Sequence, residues 1–303
     1  MRNLLSAHFA RLWRSGWFWV GALVMIWFSW IGVDSTRNML NYGEPASVLD
    51  FTLFYVQPLS IALPVFAAVF LNGDYYYGTI RNKLATGRSR TAIYLADLVL
   101  IFLVGLIYSL AFLSINLGLG LSLAGAPQTD FLPSWNDILR GLPVSLAVAL
   151  GIAALSVLLA RLVTHRTVPL TALFLGMLLT FAAQWIDQIL LIPTELPVYD
   201  EAVLMVDDSG EPVKGYRKDG VDYTPEDCPK EPNPNCVGEP IHALLTFAQN
   251  FSPMGQAYQL SRNSVGTLSA SPAPPGVLAA FALGFTAVAT GTGLLVFRRK
   301  DLK

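Results

Sequence analysis

Residues 142–192 read LPVSLAVALGIAALSVLLARLV, then THRT, then VPLTALFLGMLLTFAAQWIDQILLI. The two apolar runs, 142–163 and 168–192, are separated by only four residues. Each run matches the ~20 mostly apolar residues that a helix needs to cross the hydrocarbon core of a membrane. Pro169 lies just inside the second run, a position typical of a helix start. The stretch therefore predicts a membrane-spanning helical hairpin whose two helices pack as antiparallel neighbours.

Four further apolar runs of this kind lie at 17–33, 51–72, 92–117 and 275–297. The whole chain is 53% hydrophobic and 14% charged, whereas soluble domains carry about 25% charged residues. Past residue 117 the third run stays apolar, and its glycines Gly118 and Gly120 favour a helix break there. The sequence thus predicts an all-α polytopic membrane protein, with six transmembrane helices in the lipid bilayer.

The residues before the first run predict an amphipathic helix at the membrane surface, because apolar side chains recur at helical spacing among arginines. The segment lacks a small-residue cleavage site after a short apolar core. We therefore expect no secretory signal peptide and a first run that stays in the membrane. The apolar positions are Leu5, Phe9, Leu12 and Trp13.

Lysine and arginine are concentrated on one side of the predicted topology. Thirteen of the twenty basic residues lie in short segments beside the helix ends, on the side that an even number of spans gives to both termini. Short cytosolic loops of membrane proteins are enriched in Lys and Arg, so both termini are predicted to be cytosolic. The thirteen are Arg2, Arg11, Arg14, Arg81, Lys83, Arg88, Arg90, Arg161, Arg166, Arg298, Arg299, Lys300 and Lys303.

Residues 193–274 differ in composition from the rest of the chain, because acidic residues accumulate and prolines recur. The segments 203–206 and 213–216 predict a β-hairpin, and Lys218-Asp219-Gly220 predicts a further turn. We therefore expect a small extracytoplasmic subdomain at 193–274. It would separate a first membrane unit, 1–192, from a last helix with a basic cytosolic tail, 275–303.

The two cysteines of the chain, Cys228 and Cys236, both fall in this segment. In an oxidising compartment they are expected to form a disulfide across a proline-rich stretch. The alternative is a metal or redox pair, which two thiols without a nearby histidine cluster support only weakly. The sequence accordingly predicts a disulfide and no metal site.

The most informative stretch for function lies at 73–91, within GDYYYGTIRNKLATGRSRTAIYL (73–95). Tyr77, Ile80 and Leu84 follow helical spacing, basic residues face other directions, and Gly87 is placed to end the helix. Such a short helix with an apolar face can dock into a groove of another protein. The alternative is a basic loop that holds anionic lipid headgroups, at about 1 kcal/mol per Lys or Arg.

This stretch also resembles a known family. The string Tyr77-Gly78-Thr79-Ile80-Arg81, then Leu84, Gly87-Arg88-Ser89-Arg90 and Ile93-Tyr94-Leu95, resembles the loop of ABC type-2 exporter permeases, including the bacitracin and lantibiotic resistance branch. The resemblance covers nearly the whole chain: the amphipathic N-terminal helix, the six runs, Phe251-Ser-Pro253-Met-Gly255-Gln256 and the basic tail Phe297-Arg-Arg-Lys-Asp301. The chain departs from the family in its run of tyrosines after Asp74, and in Asp97, where a basic residue is common.

The resemblance implies the permease subunit of an ABC exporter in a bacterial cytoplasmic membrane, beside a second permease copy or homologue. It implies that the 73–91 loop contacts a separate ATP-binding subunit, which holds ATP and Mg²⁺. This chain has no Gly-x4-Gly-Lys-Ser/Thr pattern, so we expect it to bind no cofactor and to catalyse no reaction itself. The implied cargo is amphipathic, peptide-like or drug-like. The loop residues implied in coupling are Tyr77, Gly78, Thr79, Ile80, Arg81, Leu84, Arg88 and Arg90.

Polar side chains inside the predicted spans are candidates for a substrate path, because a charge at mid-bilayer costs about 2.5–3.5 kcal/mol. Asp187 lies in the outer half of the fifth span, where it is alternatively a hydrated, structural residue near the helix end. Gln57 lies beside prolines that are alternatively a simple kink. Asp97 is expected to pair with Arg90 or with a partner protein. The candidate path residues are Gln57, Gln184, Trp185 and Asp187.

Nucleic-acid binding and intramembrane proteolysis fit the sequence poorly, whereas two other membrane functions stay open as alternatives. A net charge of −1 provides no basic field for nucleic acid. An intramembrane serine protease needs a base, but His8, His165 and His242 all lie outside the spans. An ion-coupled secondary transporter is an alternative, as is a membrane sensor or accessory subunit that reads ligands through 194–274.

Overall fold

The computed structural model describes residues 2–42, 46–76, 79–124, 135–162, 168–206, 212–224, 227–264 and 273–299. Among these residues the helices are α1 (Arg2–Leu12), α2 (Gly16–Asn41), a 3-10 helix (Val48–Phe51), α3 (Val56–Tyr76), α4 (Thr79–Ala85), α5 (Arg90–Ala124), α6 (Trp135–Leu162), α7 (Val168–Leu190), α8 (Glu239–Phe251), α9 (Pro253–Ser264) and α10 (Pro275–Arg299). The strands are β1 (Glu195–Pro197), β2 (Glu201–Val206), β3 (Pro212–Lys218), β4 (Val221–Tyr223) and β5 (Lys230–Pro232).

Six helical segments in the described part of the chain are long and apolar enough to cross a membrane. They contain, to within two residues at the ends of the fourth and fifth runs, the six runs that the sequence predicted: α2, the 3-10 helix with α3, α5, α6, α7 and α10. The predicted fold class is therefore confirmed, and the chain is an all-α polytopic membrane protein.

The third span has no break at its glycines. Helix α5 runs unbroken for 35 residues, about 52 Å at 1.5 Å per residue, which exceeds the ~30 Å hydrocarbon core. Gly120 instead permits close packing, because a Cβ there would lie 2.6 Å from Val48 Cγ1 of the 3-10 helix. A small residue at this position keeps the helix intact and brings a neighbour close.

Helix α6 lies at the centre of the bundle and packs mainly against α10 and α3. Its buried face is built largely from small residues, including Ala149, Gly151, Ala153 and Ala160. Lipid tails are as apolar as leucine, so membrane helices associate through close packing of small residues rather than through hydrophobic exclusion. Around this centre, α2 packs on α5, and α7 packs on α3.

The predicted antiparallel packing of the fourth and fifth spans is wrong. Helices α6 and α7 barely touch, because α9 lies between them. Tyr258 of α9 forms a small buried cluster with Ala183 of α7, and Leu155 of α6 packs against it. Towards the other end of the two helices, a cavity of about 180 Å³ separates Leu159 of α6 from Leu175 of α7.

The predicted β-hairpin, formed by β2 and β3, is confirmed, and so is the predicted further turn at Asp219-Gly220. β2, β3 and β4 form an antiparallel sheet in that order, and β1 pairs separately with β5. Between β3 and β4 lie Asp219 and Gly220, both with positive φ, at 50° and 78°. A two-residue turn with positive φ at both positions matches the right-handed twist of the strands it joins.

The remainder of the 193–274 segment differs from the expected external subdomain. Helices α8 and α9 form a helical hairpin that enters the bundle, where α9 contacts α3, α6 and α7. Pro253, at the tip, lies 3.8 Å from the Cβ position of Gly151, near the middle of α6. Ser252 caps α9 by accepting a hydrogen bond from the Gly255 N–H, and a Cβ on Gly255 would overlap the Gln249 carbonyl. The motif at 251–256 is thus the turn of a re-entrant hairpin.

The two cysteines are free thiols in the structure, which differs from the predicted disulfide. Cys228 precedes β5 and its Sγ faces the Val198 carbonyl, while Cys236 follows β5 and faces the Ile192 carbonyl, at 3.7 and 4.0 Å. An extended strand of three residues covers about 10 Å, beyond the ~7 Å Cα separation that a disulfide tolerates. The strand between the cysteines therefore keeps them apart.

Candidate functional site

The two ends of the bundle differ in chemistry. We call the end that carries Arg11, Lys83, Arg161 and Arg298 the basic end, and the end that carries β1 to β5 the strand end. Helices α1 and α4 both lie at the basic end, together with the last turns of α3, α6 and α10.

Two carboxylates are completely buried at the basic end. Asp74, in the last turn of α3, and Asp97, two turns into α5, are both 0% exposed. A buried charge is tolerated only when it is paired and hydrogen-bonded. Their partners therefore define which elements this end of the protein holds together.

Arg161 of α6 bridges both carboxylates and is itself 2% exposed. Its Nε donates to Asp97 Oδ2 at 3.0 Å, its Nη2 donates to the same oxygen, and Nη2 also lies 3.5 Å from Asp74 Oδ2. The guanidinium lies 5.5 Å from the ring centroid of Phe297 in α10, within the range of a cation–π contact. One side chain thus connects α3, α5, α6 and α10.

Asp74 adds two more elements to this cluster. Its Oδ1 accepts from Arg11 Nη1 of α1 at 2.6 Å, and its Oδ2 accepts from Lys83 Nζ of α4 at 2.8 Å. Thr79, the first residue of α4, also donates to Oδ1, at 2.9 Å. We call Asp74, Asp97, Arg161, Arg11 and Lys83 the ion cluster; it joins the short helices α1 and α4 to four membrane helices.

The short helix predicted within 73–91 is confirmed as α4. It ends where Gly87 adopts a φ of +78° and donates to the Leu84 carbonyl at 2.9 Å, a left-handed C-terminal cap. Two residues later the Ser89 hydroxyl accepts from the Ala92 N–H at 3.2 Å and caps the start of α5. Local capping chemistry therefore sets both the length of α4 and the turn after it.

The apolar face of α4 points inward, which differs from the expectation of an outward knob. Ile80 is 2% exposed, and Leu84 packs against the core of the bundle. The outward surface consists of Asn82, Ala85 and Thr86, with Arg88 half-buried beside it. Tyr77, Gly78 and the side chain of Arg81 lie outside the described part of the chain.

Arg90 and Asp97 do not pair with each other. Seven residues separate them, about 10 Å along the axis of α5, and Asp97 faces Arg161 instead. Arg90 donates to the carbonyls of Phe297 and Arg298 at 3.3 and 2.9 Å. It thereby ties the start of α5 to the end of α10.

The titratable side chain of His8, in α1, also lies against this cluster. It is 3% exposed, and its Nε2 lies 3.4 Å from Lys83 Nζ and 3.7 Å from Asp97 Oδ1. Burial, reinforced by the positive charge of Lys83, lowers the pKa of His8 below its ordinary value.

Sequence reasoning missed the role of Arg161 and of His8. Arg161 lies inside the run 142–163, yet it was counted with the loop cations. An arginine within an apolar run is the signal that indicates a buried carboxylate partner. For His8, the sequence provided no such signal, because its neighbours come from α4 and α5.

The candidate path residues divide into two groups. Gln57 Oε1 accepts from Ser261 Oγ at 3.1 Å, and Asp187 Oδ2 lies 3.9 Å from Arg262 Nη1. Ser261 and Arg262 are consecutive residues of α9, so the re-entrant hairpin brings Gln57 and Asp187 to one place. Trp185 is 70% exposed on the outside of α7, and Gln184 is half-buried. The last two are not part of the polar group at α9.

No family model, curated protein or solved structure matches this chain. Within the described residues there is also no group of three or more His, Cys, Asp or Glu side chains placed to bind a metal ion. The candidate functional sites are the two polar sites described above, one at α4 and one at α9.

Proposed function

We propose that this chain is the permease subunit of an ABC exporter whose ATP-binding subunit is a separate polypeptide. The observation that carries the proposal is the attachment of α4. This helix of seven residues lies outside the spans, yet Lys83 and Thr79 fix it to a carboxylate that four membrane helices share through Arg161. A partner that moves α4 therefore moves the membrane helices.

The ion cluster is suited to transmit a displacement of α4 to the membrane helices. Separating a buried ion pair leaves an uncompensated charge and costs about 3–5 kcal/mol. The elements joined by Asp74 and Arg161 are therefore more easily moved together than pulled apart. In this proposal closure of two ATP-binding subunits shifts α4, and rigid-body motion of the spans alternates access to a cavity between two permease copies.

The proposed role of each residue of α4 depends on whether its side chain points towards the bundle or away from it. Ile80 and Leu84 hold α4 on the bundle, whereas the exposed surface of Asn82, Ala85 and Thr86 is offered to the ATP-binding subunit. Tyr77, Gly78, Arg81, Arg88 and Arg90 stay predicted contributors to the same contact. ATP and Mg²⁺ belong to the partner subunit, and the basic end faces the cytosol of a bacterial cell.

The cargo proposed is amphipathic, peptide-like or drug-like. The polar group at α9 supports this proposal: it contains Gln57, Asp187, Ser261 and Arg262. An ionisable side chain inside a membrane protein is a candidate for a substrate or ion path. The same set favours a second candidate function. The buried Asp187–Arg262 contact would equally suit an ion-coupled carrier that needs no ATPase.

The test is purification of the chain from its native membrane in mild detergent, followed by identification of its partners and an ATPase assay. We expect a stoichiometric protein with a Walker A motif. Ala85→Trp, on the outward side of α4, is expected to reduce its co-purification at least tenfold, while the matched change Ala202→Trp on exposed β2 has no effect.

Two outcomes would overturn the proposal. One is equal recovery of the ATP-binding subunit with Ala85→Trp and with the parent. The other is an ATPase-free preparation that moves solute with an ion gradient, which would establish the secondary carrier instead.

A further inference from the structure

His8 occupies an unusual position for a surface helix. It is buried between α1, α4 and α5, with Lys83 Nζ at 3.4 Å and Asp97 Oδ1 at 3.7 Å from the same nitrogen, Nε2. The ring of Phe70 in α3 lies on another side, with ring centroids 6.2 Å apart. One imidazole nitrogen thus faces a cation and a carboxylate at once.

The two neighbours of Nε2 suit different protonation states of the ring. An ammonium group has only donors, so Nε2 can bond to Lys83 only as an acceptor, in the neutral tautomer that carries its proton on Nδ1. A protonated Nε2 can instead donate to Asp97 Oδ1. Asp97 Oδ1, the second neighbour of Nε2, accepts no hydrogen bond among the described residues.

We propose that His8 is a proton-sensitive latch that holds α4 on the basic end. Neutral His8 accepts a hydrogen bond from Lys83 and ties α1 to α4. Protonated His8 carries a hydrogen on Nε2, loses the acceptor, repels the Lys83 ammonium and donates to Asp97 instead. Acidification on this side of the membrane thereby frees α4, whatever protein binds to that helix.

The charges around His8 act in both directions on its pKa: Lys83 and Arg11 lower it, Asp97 and Asp74 raise it, and burial, the largest effect, lowers it. His8 faces Lys83 on α4, Asp97 on α5, Asp74 on α3 and Arg11 on its own helix, and Arg161 of α6 binds the far side of both carboxylates. The three cations of the ion cluster outnumber its two carboxylates by one, so a proton on His8 adds a further positive charge to a buried site that is already net positive. This arrangement therefore disfavours the proton, in line with the lowered pKa of His8.

The pH window follows from this direction. We call α4 docked when it packs on the bundle as in the structure, and undocked when it has left the bundle. In the undocked state the pKa of His8 is near its ordinary value of 6.5, and in the docked state it is lower. Well above pH 6.5 His8 is neutral in both states and docking is unaffected. As the pH falls through 6.5 the undocked state binds more protons, and the ratio of docked to undocked molecules declines by up to about tenfold per pH unit until the docked His8 also titrates.

The experiment measures how often α4 opens. In a full-length chain with Cys228→Ser and Cys236→Ser, Ile80→Cys reports the buried side of α4, and Asn82→Cys on its exposed side is the matched reference. The ratio of their maleimide labelling rates in lipid nanodiscs cancels the pH dependence of the reagent. Between pH 7.5 and pH 5.5 we expect the ratio to rise by up to about tenfold.

His8→Gln keeps an acceptor for Lys83 but cannot take a proton, so its labelling ratio is expected to stay constant with pH. His8→Asn provides the same test if the glutamine variant does not accumulate. A parent ratio that is flat with pH, or an unchanged rise in both variants, overturns the latch. Since no ATP-binding subunit is present in this measurement, its outcome is independent of the proposed exporter function.

Discussion

Removal of Arg161 is the most direct test of the ion cluster. Arg161→Met keeps the length and apolar stem of the side chain but removes the guanidinium. Asp74 retains Arg11 and Lys83 at 2.6 and 2.8 Å. Asp97 is left with the His8 imidazole, whose Nε2 lies 3.7 Å away, and with no lysine or arginine within ion-pair distance among the described residues. The interaction energy that Arg161→Met removes is therefore mainly that of the Asp97 carboxylate, which is fully buried.

Breaking a buried ion pair by removing one partner costs about 3–5 kcal/mol, because the other charge stays desolvated. We expect Arg161→Met to lower the free energy of unfolding by this amount. Replacing both partners with apolar residues is far cheaper. The double variant Arg161→Met with Asp97→Leu should therefore recover most of the loss, with a coupling energy of at least about 2 kcal/mol.

The assay is reversible unfolding in mixed micelles with increasing denaturing detergent, followed by tryptophan fluorescence. Arg90→Met is the matched control, since Arg90 is half-exposed and binds helix-terminal carbonyls; we expect it to cost about 0.3–1 kcal/mol. The reasoning is refuted if Arg161→Met costs less than about 1 kcal/mol, or if the effects of Arg161→Met and Asp97→Leu simply add.

Two further predictions concern the re-entrant hairpin and the β-sheet. Gly255→Ala places a Cβ against the Gln249 carbonyl and should destabilise the re-entrant hairpin by about 1–3 kcal/mol, measured as a lower melting temperature. The control is Gly284→Ala, whose added Cβ meets nothing within 4 Å. Equal melting temperatures for the two variants would contradict the hairpin geometry. The hydrogen bond from Arg217 lowers the pKa of Asp222 below its ordinary 3.8, so any stability that this pair lends the sheet is present above pH 3.8 and is lost as the pH falls through the lower value. Carbon-13 NMR titration of the Asp222 carboxyl should show that midpoint moving up in Arg217→Met, and an unchanged midpoint would exclude the pairing.

The six spans, α4 and the β-hairpin were predictable because each depends on neighbouring residues alone. A run of about 20 apolar residues specifies a span, Gly87 specifies the end of α4, and Asp219-Gly220 specifies a two-residue turn. None of these features needs information from a distant part of the chain. They account for nearly all of the membrane-spanning architecture.

The re-entrant hairpin could not be predicted in this way. Helices α8 and α9 are 13 and 12 residues long, too short to span, and α9 contains glutamines, serines and an arginine. Its burial depends on the polar partners that α3 and α7 supply, Gln57 and Asp187. Likewise, helical periodicity correctly placed Ile80 and Leu84 on one face of α4, but periodicity cannot show whether that face meets a partner protein or the chain's own bundle.

Helix α3 is the element that links the two polar sites. Asp74, at its basic end, binds α4, and Gln57, seventeen residues earlier, binds α9; the separation is about 25 Å along the helix axis. Pro64 lies inside α3 between the two polar sites, at a point where the helix backbone lacks one hydrogen bond. Under the proposed function, movement of α4 therefore reaches α9 through a single helix. The buried contacts of Gln57 with Ser261 are then the first contacts on the path that such a movement would strain.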